Sequence, residues 1–230
     1  MREGLMKNWI YFHGVMLIAL TGAAEIFHLY SLGGILIAVL GTGSMMIHFF
    51  RGGTKFFTIA NILTVSRVLI AAGVLLYSSI TGVYQPGYLL FCILCIAALS
   101  DLFDGPAARK YGKSSIGESL DAESDAFFLL ILACLARFFG GYGLWVLAFG
   151  LIRYVFAFIY SSKVSLKNPA FRFYAKFACV CGSVVLVGLT APFMPKEWKL
   201  YALYGALTFI VISFLLEGVL RLLAGRVNEK

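Results

Sequence analysis

The chain has 230 residues, 61% of them hydrophobic and 13% charged, with a mean hydropathy of +0.91. This composition excludes an ordinary water-soluble domain and places the chain in a bilayer. The formal net charge of +8 does not call for a nucleic-acid partner, because the Lys and Arg residues fall at the ends of apolar stretches and form no continuous basic stripe.

Apolar runs long enough to cross roughly 30 Å of hydrocarbon recur along the sequence. They predict an all-α integral membrane protein of eight transmembrane helices, near residues 8–29, 31–50, 57–79, 86–105, 116–139, 143–161, 175–193 and 200–222. The first run is too long and too lightly flanked for a cleaved signal peptide and reads as a retained helix. The basic joint Arg51-Gly-Gly-Thr-Lys55 follows the second. It divides the chain into an N-terminal hairpin with its joint, residues 1–56, which reads as an appendage, and a self-contained six-helix unit, residues 57–230. In this topology the basic residues before the first helix, at the even-to-odd turns and after the eighth helix share one side of the bilayer, which puts both termini in the cytoplasm. Lys196 and Lys199 break the pattern, and Arg137, near the outer end of the fifth helix, is expected to snorkel outward. The five cysteines lie in apolar runs and read as packing residues; Cys92-x-x-Cys95 has no second pair to complete a metal site.

Asp and Glu total eleven, yet Asp101, Asp104, Glu118, Asp121, Glu123 and Asp125 crowd into 25 residues at the edges of the fourth and fifth helices. A carboxylate at membrane depth costs about 2.5–3.5 kcal/mol on insertion scales, so a cation or a wet cavity normally compensates it. Asp101 and Asp104 are three residues apart and Asp121 and Asp125 four, so each pair projects from one face of its helix. A short turn through Lys110–Ser115 joins the two helices and brings the pairs to one depth. Four carboxylates without His or Cys form a hard-oxygen site for two Mg²⁺ or Mn²⁺ ions, and such a pair implies phosphoryl chemistry, with one carboxylate left to take a proton from an attacking hydroxyl. Gly105, Gly117 and Ala108 keep the walls small enough for a nucleotide to approach, and Arg109 can pair with a phosphate. Glu118 and Glu123 are offset from the aspartate face and read as contacts between helices. His13, His28 and His48 are scattered and read as interfacial hydrogen-bonding groups.

The run Asp101-x2-Asp104-Gly105-x2-Ala108-Arg109-x7-Gly117-x3-Asp121-x3-Asp125 resembles the signature of the CDP-alcohol phosphotransferase family. The resemblance implies a six-helix membrane fold, usually a homodimer, over residues 57 to about 222. It implies that Asp101, Asp104 and Asp121 bind the metal pair, and that Asp125 both touches a metal and acts as general base. Gly105, Ala108 and Gly117 would line the cytidine site, with Arg109 steadying the diphosphate. Asn61-Ile-Leu-Thr64-Val-Ser-Arg67 is similar to the segment that opens the family's first core helix, so Asn61, Thr64 and Arg67 are expected to help close the CDP site. Three departures stand out: seven residues between Arg109 and Gly117 where the family usually has eight, Ala60 where many members have proline, and Pro106, which tends to kink or end a helix and puts Arg109's orientation in question.

The function that follows is a phosphatidyltransferase in phospholipid biosynthesis. It moves the phosphatidyl group of CDP-diacylglycerol to the hydroxyl of a small polar alcohol and releases CMP, from an active site on the cytoplasmic side of a bacterial inner membrane. Family acceptors include glycerol 3-phosphate, inositol phosphate, inositol, serine and lipid alcohols. Arg153, an intramembrane cation, with Arg172 and Lys176 around the next cytoplasmic turn, favours a phosphorylated acceptor such as glycerol 3-phosphate or inositol phosphate. The bland reading of Arg172 and Lys176 is topology or contact with lipid headgroups. A divalent-cation transporter is the rival from another class, but the sequence outward of Asp101 and Asp125 is apolar and offers no continuing path. An inactive scaffold homologue is opposed by retention of all four aspartates.

Overall fold

The computed structural model describes the backbone of residues 2–51, 59–83, 87–111, 115–159 and 169–227, and the side chains of residues 8–50, 61–83, 87–100, 121–155 and 177–216. Helix α1 (Arg2–Ile26) is followed by α2 (Tyr30–Leu36), a π-helical turn (Ile37–Gly41) and α3 (Thr42–Arg51), the last three forming one continuous run. Then come α4 (Ile59–Thr81), α5 (Tyr88–Tyr111) and α6 (Ser115–Cys134), which ends in a second π-helical turn (Leu135–Phe139). A short 3₁₀ segment (Leu144–Leu147) leads into α7 (Ala148–Ile159), and α8 (Pro169–Gly188) and α9 (Lys196–Val227) complete the chain. The described residues contain no strand. Four stretches among them, Asn8–Ile26, Tyr30–Phe50, Asn61–Thr81 and Lys196–Leu216, are long and apolar enough to cross a bilayer, and shorter apolar helices cover Tyr88–Ser100, Leu144–Val155 and Phe177–Gly188.

Helix boundaries differ from the predicted ones where proline acts. The fourth predicted stretch stops at residue 105, whereas α5 continues through Pro106 to Tyr111. An interior proline forfeits one backbone bond and crowds the carbonyl four residues back, and here the turns on either side carry the helix past that loss. Of the turn expected over Lys110–Ser115, residues 112–114 lie outside the described residues, while Tyr111 belongs to α5 and Ser115 to α6. Helix α8 starts at Pro169, six residues before its predicted start, because the first helical position is the one where a missing N–H costs nothing. Arg172 and Lys176 therefore belong to the opening turns of α8 and not to a loop. Helix α9 starts at Lys196 directly after Pro195, with Glu197 in its first turn matching the positive end of the helix dipole. Lys199 donates from Nζ to the Leu189 carbonyl at 2.8 Å and so caps the end of α8.

Helix α6 is the axis of the fold. Every residue from Ala126 to Ala136 is buried, and α1, α4, α7 and α8 all pack against it. The backbone of α7 comes very near that of α6. A β-carbon at Gly150 would lie 2.3 Å from Leu130 Cα, so only glycine lets the two backbones meet there. Large apolar side chains exposed on the outer helices, among them Ile47, Ile62, Ile96 and Val184, suit a lipid surround.

The hairpin is not the loose appendage that the basic joint predicts. Helices α1 and α2 pack on each other, α2 also lies along α4, and α1 touches both α6 and α7. Arg137, which the sequence predicts to snorkel away, does not do so. It makes a two-pronged ion pair with Glu25 of α1, at 2.9 Å and 2.8 Å, and donates further to Tyr30 Oη and the Tyr142 carbonyl. Leaving a guanidinium in lipid is expensive, and a carboxylate one helix away is the nearer remedy.

Candidate active site

Asn61, Thr64 and Arg67 follow one face of α4 at spacings of three, the face that packs against α6. Thr64 and Arg67 are buried and Asn61 is half-buried. Arg67 was expected to help close the nucleotide site, and its guanidinium meets the predicted base. Arg67 Nη2 lies 2.5 Å from Asp125 Oδ1, with only 4% and 17% of the two side chains exposed. The same Nη2 reaches Ser124 Oγ at 3.3 Å, and the guanidinium carbon lies 5.2 Å from the Phe128 ring centroid. Ser124 Oγ in turn faces the Thr64 carbonyl at 3.5 Å. Asp125 is thus fixed in direction by a charged partner from a neighbouring helix before any substrate arrives.

One helical turn earlier on the same face stands Asp121, half-buried, whose Oδ1 is shielded from solvent and accepts no hydrogen bond among the described residues. A buried carboxylate oxygen without a donor is costly unless a cation fills the position, so this donor set fits the divalent metal inferred from sequence. Asp101 and Asp104 lie on α5, one turn apart, and their side chains, like those of Gly105, Ala108, Arg109, Gly117, Arg172 and Lys176, fall outside the described set. Among the described side chains no group of three metal-ligating residues converges.

The end of α5 nonetheless reaches this place. A cavity of about 80 Å³ is walled by Arg67, Asp125 and Phe128, by Ala98 and Leu99 of α5, and by Cys179, Val180, Ser183 and Val184 of α8. Position 101 is one turn beyond Ala98, so the α5 pair starts where the cavity ends. Outward of Asp125 the way is shut, because Phe127, Phe128, Leu130 and Ile131 are all 1% exposed or less. That layer offers no path to the cation carrier weighed above.

One carboxylate is thus held by arginine, a second has a buried oxygen that accepts no hydrogen bond among the described residues, and a small, mostly apolar cavity lies beside the first. The family model for CDP-alcohol phosphatidyltransferase matches residues 57–216. The chain belongs to that family. A CDP-alcohol phosphatidyltransferase is an integral membrane transferase that passes a phosphatidyl group from a CDP-linked donor to an alcohol, and α4 through most of α9 carry the matched region. The hairpin α1–α3 precedes the match. No curated protein and no solved structure matches the chain.

Arg153 of α7, proposed from sequence for the acceptor, is half-buried and lies close enough for its charge to act on Glu123 and Tyr154. Sequence reasoning missed a polar group behind the site. His13, expected near the interface, is fully buried with Nε2 3.9 Å from Glu123 Oε1. Only its helical spacing from Trp9, on which it stacks at 5.2 Å between ring centroids, marked it as inward-facing. Cys92 is an exposed free thiol and Cys95 a half-buried one.

Proposed function

We propose that this CDP-alcohol phosphatidyltransferase uses CDP-diacylglycerol as donor and a small polar alcohol as acceptor, a phosphorylated one such as glycerol 3-phosphate or inositol phosphate being favoured by Arg153, Arg172 and Lys176. The observation that carries the reading is Asp121 and Asp125 on one face of α6, the first with a buried oxygen that has no donor among the described residues, the second held by Arg67. Asp101, Asp104, Asp121 and Asp125 would hold two Mg²⁺ or Mn²⁺ ions. Such ions, when bound, neutralise diphosphate oxygens and the charge that grows on the leaving group.

The chain's own residues do the rest. Asn61, Thr64, Gly105, Ala108, Arg109 and Gly117 would receive the cytidine diphosphate, and the groove between α5 and α8 would take lipid chains. Asp125 accepts the proton of the acceptor hydroxyl. The oxygen then bonds to the phosphorus that carries diacylglycerol, the bond from that phosphorus to the bridging diphosphate oxygen breaks, and CMP departs with the bridging oxygen. Arg67 is already hydrogen-bonded to the carboxylate, so Asp125 keeps one direction as its charge changes. Eight spans, a hairpin ahead of a six-helix catalytic unit, a homodimer, and a bacterial inner membrane with site and termini in the cytoplasm complete the reading.

Purified protein in lipid nanodiscs, given CDP-diacylglycerol, Mg²⁺ or Mn²⁺ and a panel of alcohols, should release CMP with one acceptor or a small subset. Chelation should stop release, and added Mn²⁺ should restore it. Asp125→Asn should retain nucleotide binding but turn over ~10²–10⁴-fold more slowly, the usual worth of a general base. Turnover at the wild-type rate would remove Asp125 from that role.

A further inference from the structure

Glu123 is two residues from Asp121 and two from Asp125. Two residues turn an α-helix by about 200°, so the face that carries Glu123 is opposite the one that carries the aspartates. Glu123 is 2% exposed, and among the described residues His13 of α1, fully buried, Tyr154 of α7, 3% exposed, and the Arg153 cation of α7 lie near it. His13 Nε2, Glu123 Oε1 and Tyr154 Oη are all buried and hydrogen-bonded to nothing among the described residues.

The chemistry of the three atoms is complementary. Ser44 Oγ donates to the Gly41 carbonyl at 3.0 Å, which uses its proton. With the hydroxyl proton on the Gly41 carbonyl, the imidazole N–H donates in the 2.5 Å contact between His13 Nδ1 and Ser44 Oγ. In neutral histidine that assigns Nε2 as an acceptor. Two acceptors 3.9 Å apart need a donor between them, and the Tyr154 hydroxyl can supply a proton from the side. One water molecule donating to Nε2 and Oε1 and accepting from Tyr154 satisfies all three. Helices α1 and α7 are in close contact here, since a β-carbon at Gly14 would lie 2.9 Å from Tyr154 Cδ1. Trp9 stacks on His13 from one side, and Phe127 meets it edge-on.

We propose that the N-terminal hairpin is a positioning part of the catalytic centre: His13 and Tyr154, through a bridging water, grip Glu123 from behind and fix the rotation of α6 about its axis. That rotation sets where Asp121 and Asp125 point. The inference rests on the reading of those two aspartates as metal-binding and proton-accepting groups. His13, Glu123 and Tyr154 do not touch substrate; they act through the helix.

Mn²⁺ titration of the full-length protein in nanodiscs, followed by electron paramagnetic resonance, tests this without turnover. His13→Ala and Tyr154→Phe should each weaken Mn²⁺ binding about 10- to 100-fold, the range for partners that orient metal-binding groups, and should lower kcat more than they raise KM. His13→Gln, which returns an acceptor oxygen, should recover most of the affinity. Glu25→Gln disturbs the hairpin at its far end, and should lower the unfolding temperature while leaving Mn²⁺ affinity at the wild-type value. Tyr154→Phe removes a single oxygen and keeps the ring on Gly14, so it reports even if His13→Ala does not fold. Wild-type Mn²⁺ affinity in Tyr154→Phe, with binding lost in Asp121→Asn, would overturn the positioning role alone. Wild-type affinity in Asp121→Asn would overturn the metal reading and this inference with it.

Discussion

Replacing Arg67 tests the pair on which the proposed proton acceptor depends. Its Nη2 lies 2.5 Å from Asp125 Oδ1, and the two side chains are 4% and 17% exposed. With so little solvent, a hydrogen bond between charged groups should contribute about 1.5–3 kcal/mol, against ~0.2–1 kcal/mol for a pair in open water. The raw loss in Arg67→Ala will be larger, because the guanidinium also reaches Ser124 Oγ and lies over Phe128, and because truncation opens a cavity. A double-mutant cycle with Asp125→Ala cancels these shared losses and leaves the coupling itself. Reversible unfolding of the four proteins in bicelles should give a coupling of about 1.5–3 kcal/mol. A coupling under ~0.5 kcal/mol would put the pair on a par with surface ion pairs and refute the claim that Arg67 fixes Asp125.

Three further substitutions probe the frame around the site. Gly150→Ala would place a β-carbon 2.3 Å from Leu130 Cα and 2.7 Å from Leu130 N, backbone atoms that cannot swing aside, so stability should fall by about 1–3 kcal/mol in the same unfolding assay. An unchanged midpoint would mean that α6 and α7 are further apart. Arg137→Met should cost about 1–3 kcal/mol, between the values for exposed and buried pairs, since its side chain is 24% exposed and that of Glu25 14%; the Glu25→Leu/Arg137→Leu double variant should recover most of this. Arg153→Ala should raise KM for a phosphorylated acceptor and leave KM for the donor unchanged. Equal effects on both would show that Arg153 acts through Glu123 and not on the acceptor.

The sequence made the front of α6 legible and hid its back. Asp121 and Asp125 stand out because carboxylates are rare in this chain and because four residues bring them to one helical face. Arg67 could be named from the resemblance of the segment 61–67 to the family's first core helix, but its partner could not. Spacing within a helix says which residues share a face, while the choice of neighbour depends on how helices pack. Glu123 was correctly set apart from the aspartate face by the same arithmetic. What lay opposite it was unreadable, since His13 is separated from it by more than a hundred positions and by the whole basic joint. Arg137 misled for a related reason. From sequence a lone cation near a helix end has water as its best partner, and only the fold shows that Glu25 is nearer. Pro106 misled because an interior proline weakens a helix without always ending it.

These misses share a cause that bears on the hairpin. Two ionisable side chains of the family-matched region, Glu123 and Arg137, face away from the aspartates toward the side that α1 covers. In a bare six-helix unit that side would meet lipid, where a buried polar or charged group that lacks a hydrogen-bonding partner is costly. Helix α1 brings one group to each, His13 to Glu123 and Glu25 to Arg137, twelve residues apart along one helix. Twelve residues of α-helix rise about 18 Å, over half the hydrocarbon thickness, so the two contacts hold α1 near the inner and outer ends of α6 at once. A helix pinned at two depths cannot slide or turn against its neighbour without breaking one contact. The contact at His13 thus bears on the rotation of α6 beside the aspartates, and the contact at Glu25 on the stability with which the hairpin is held.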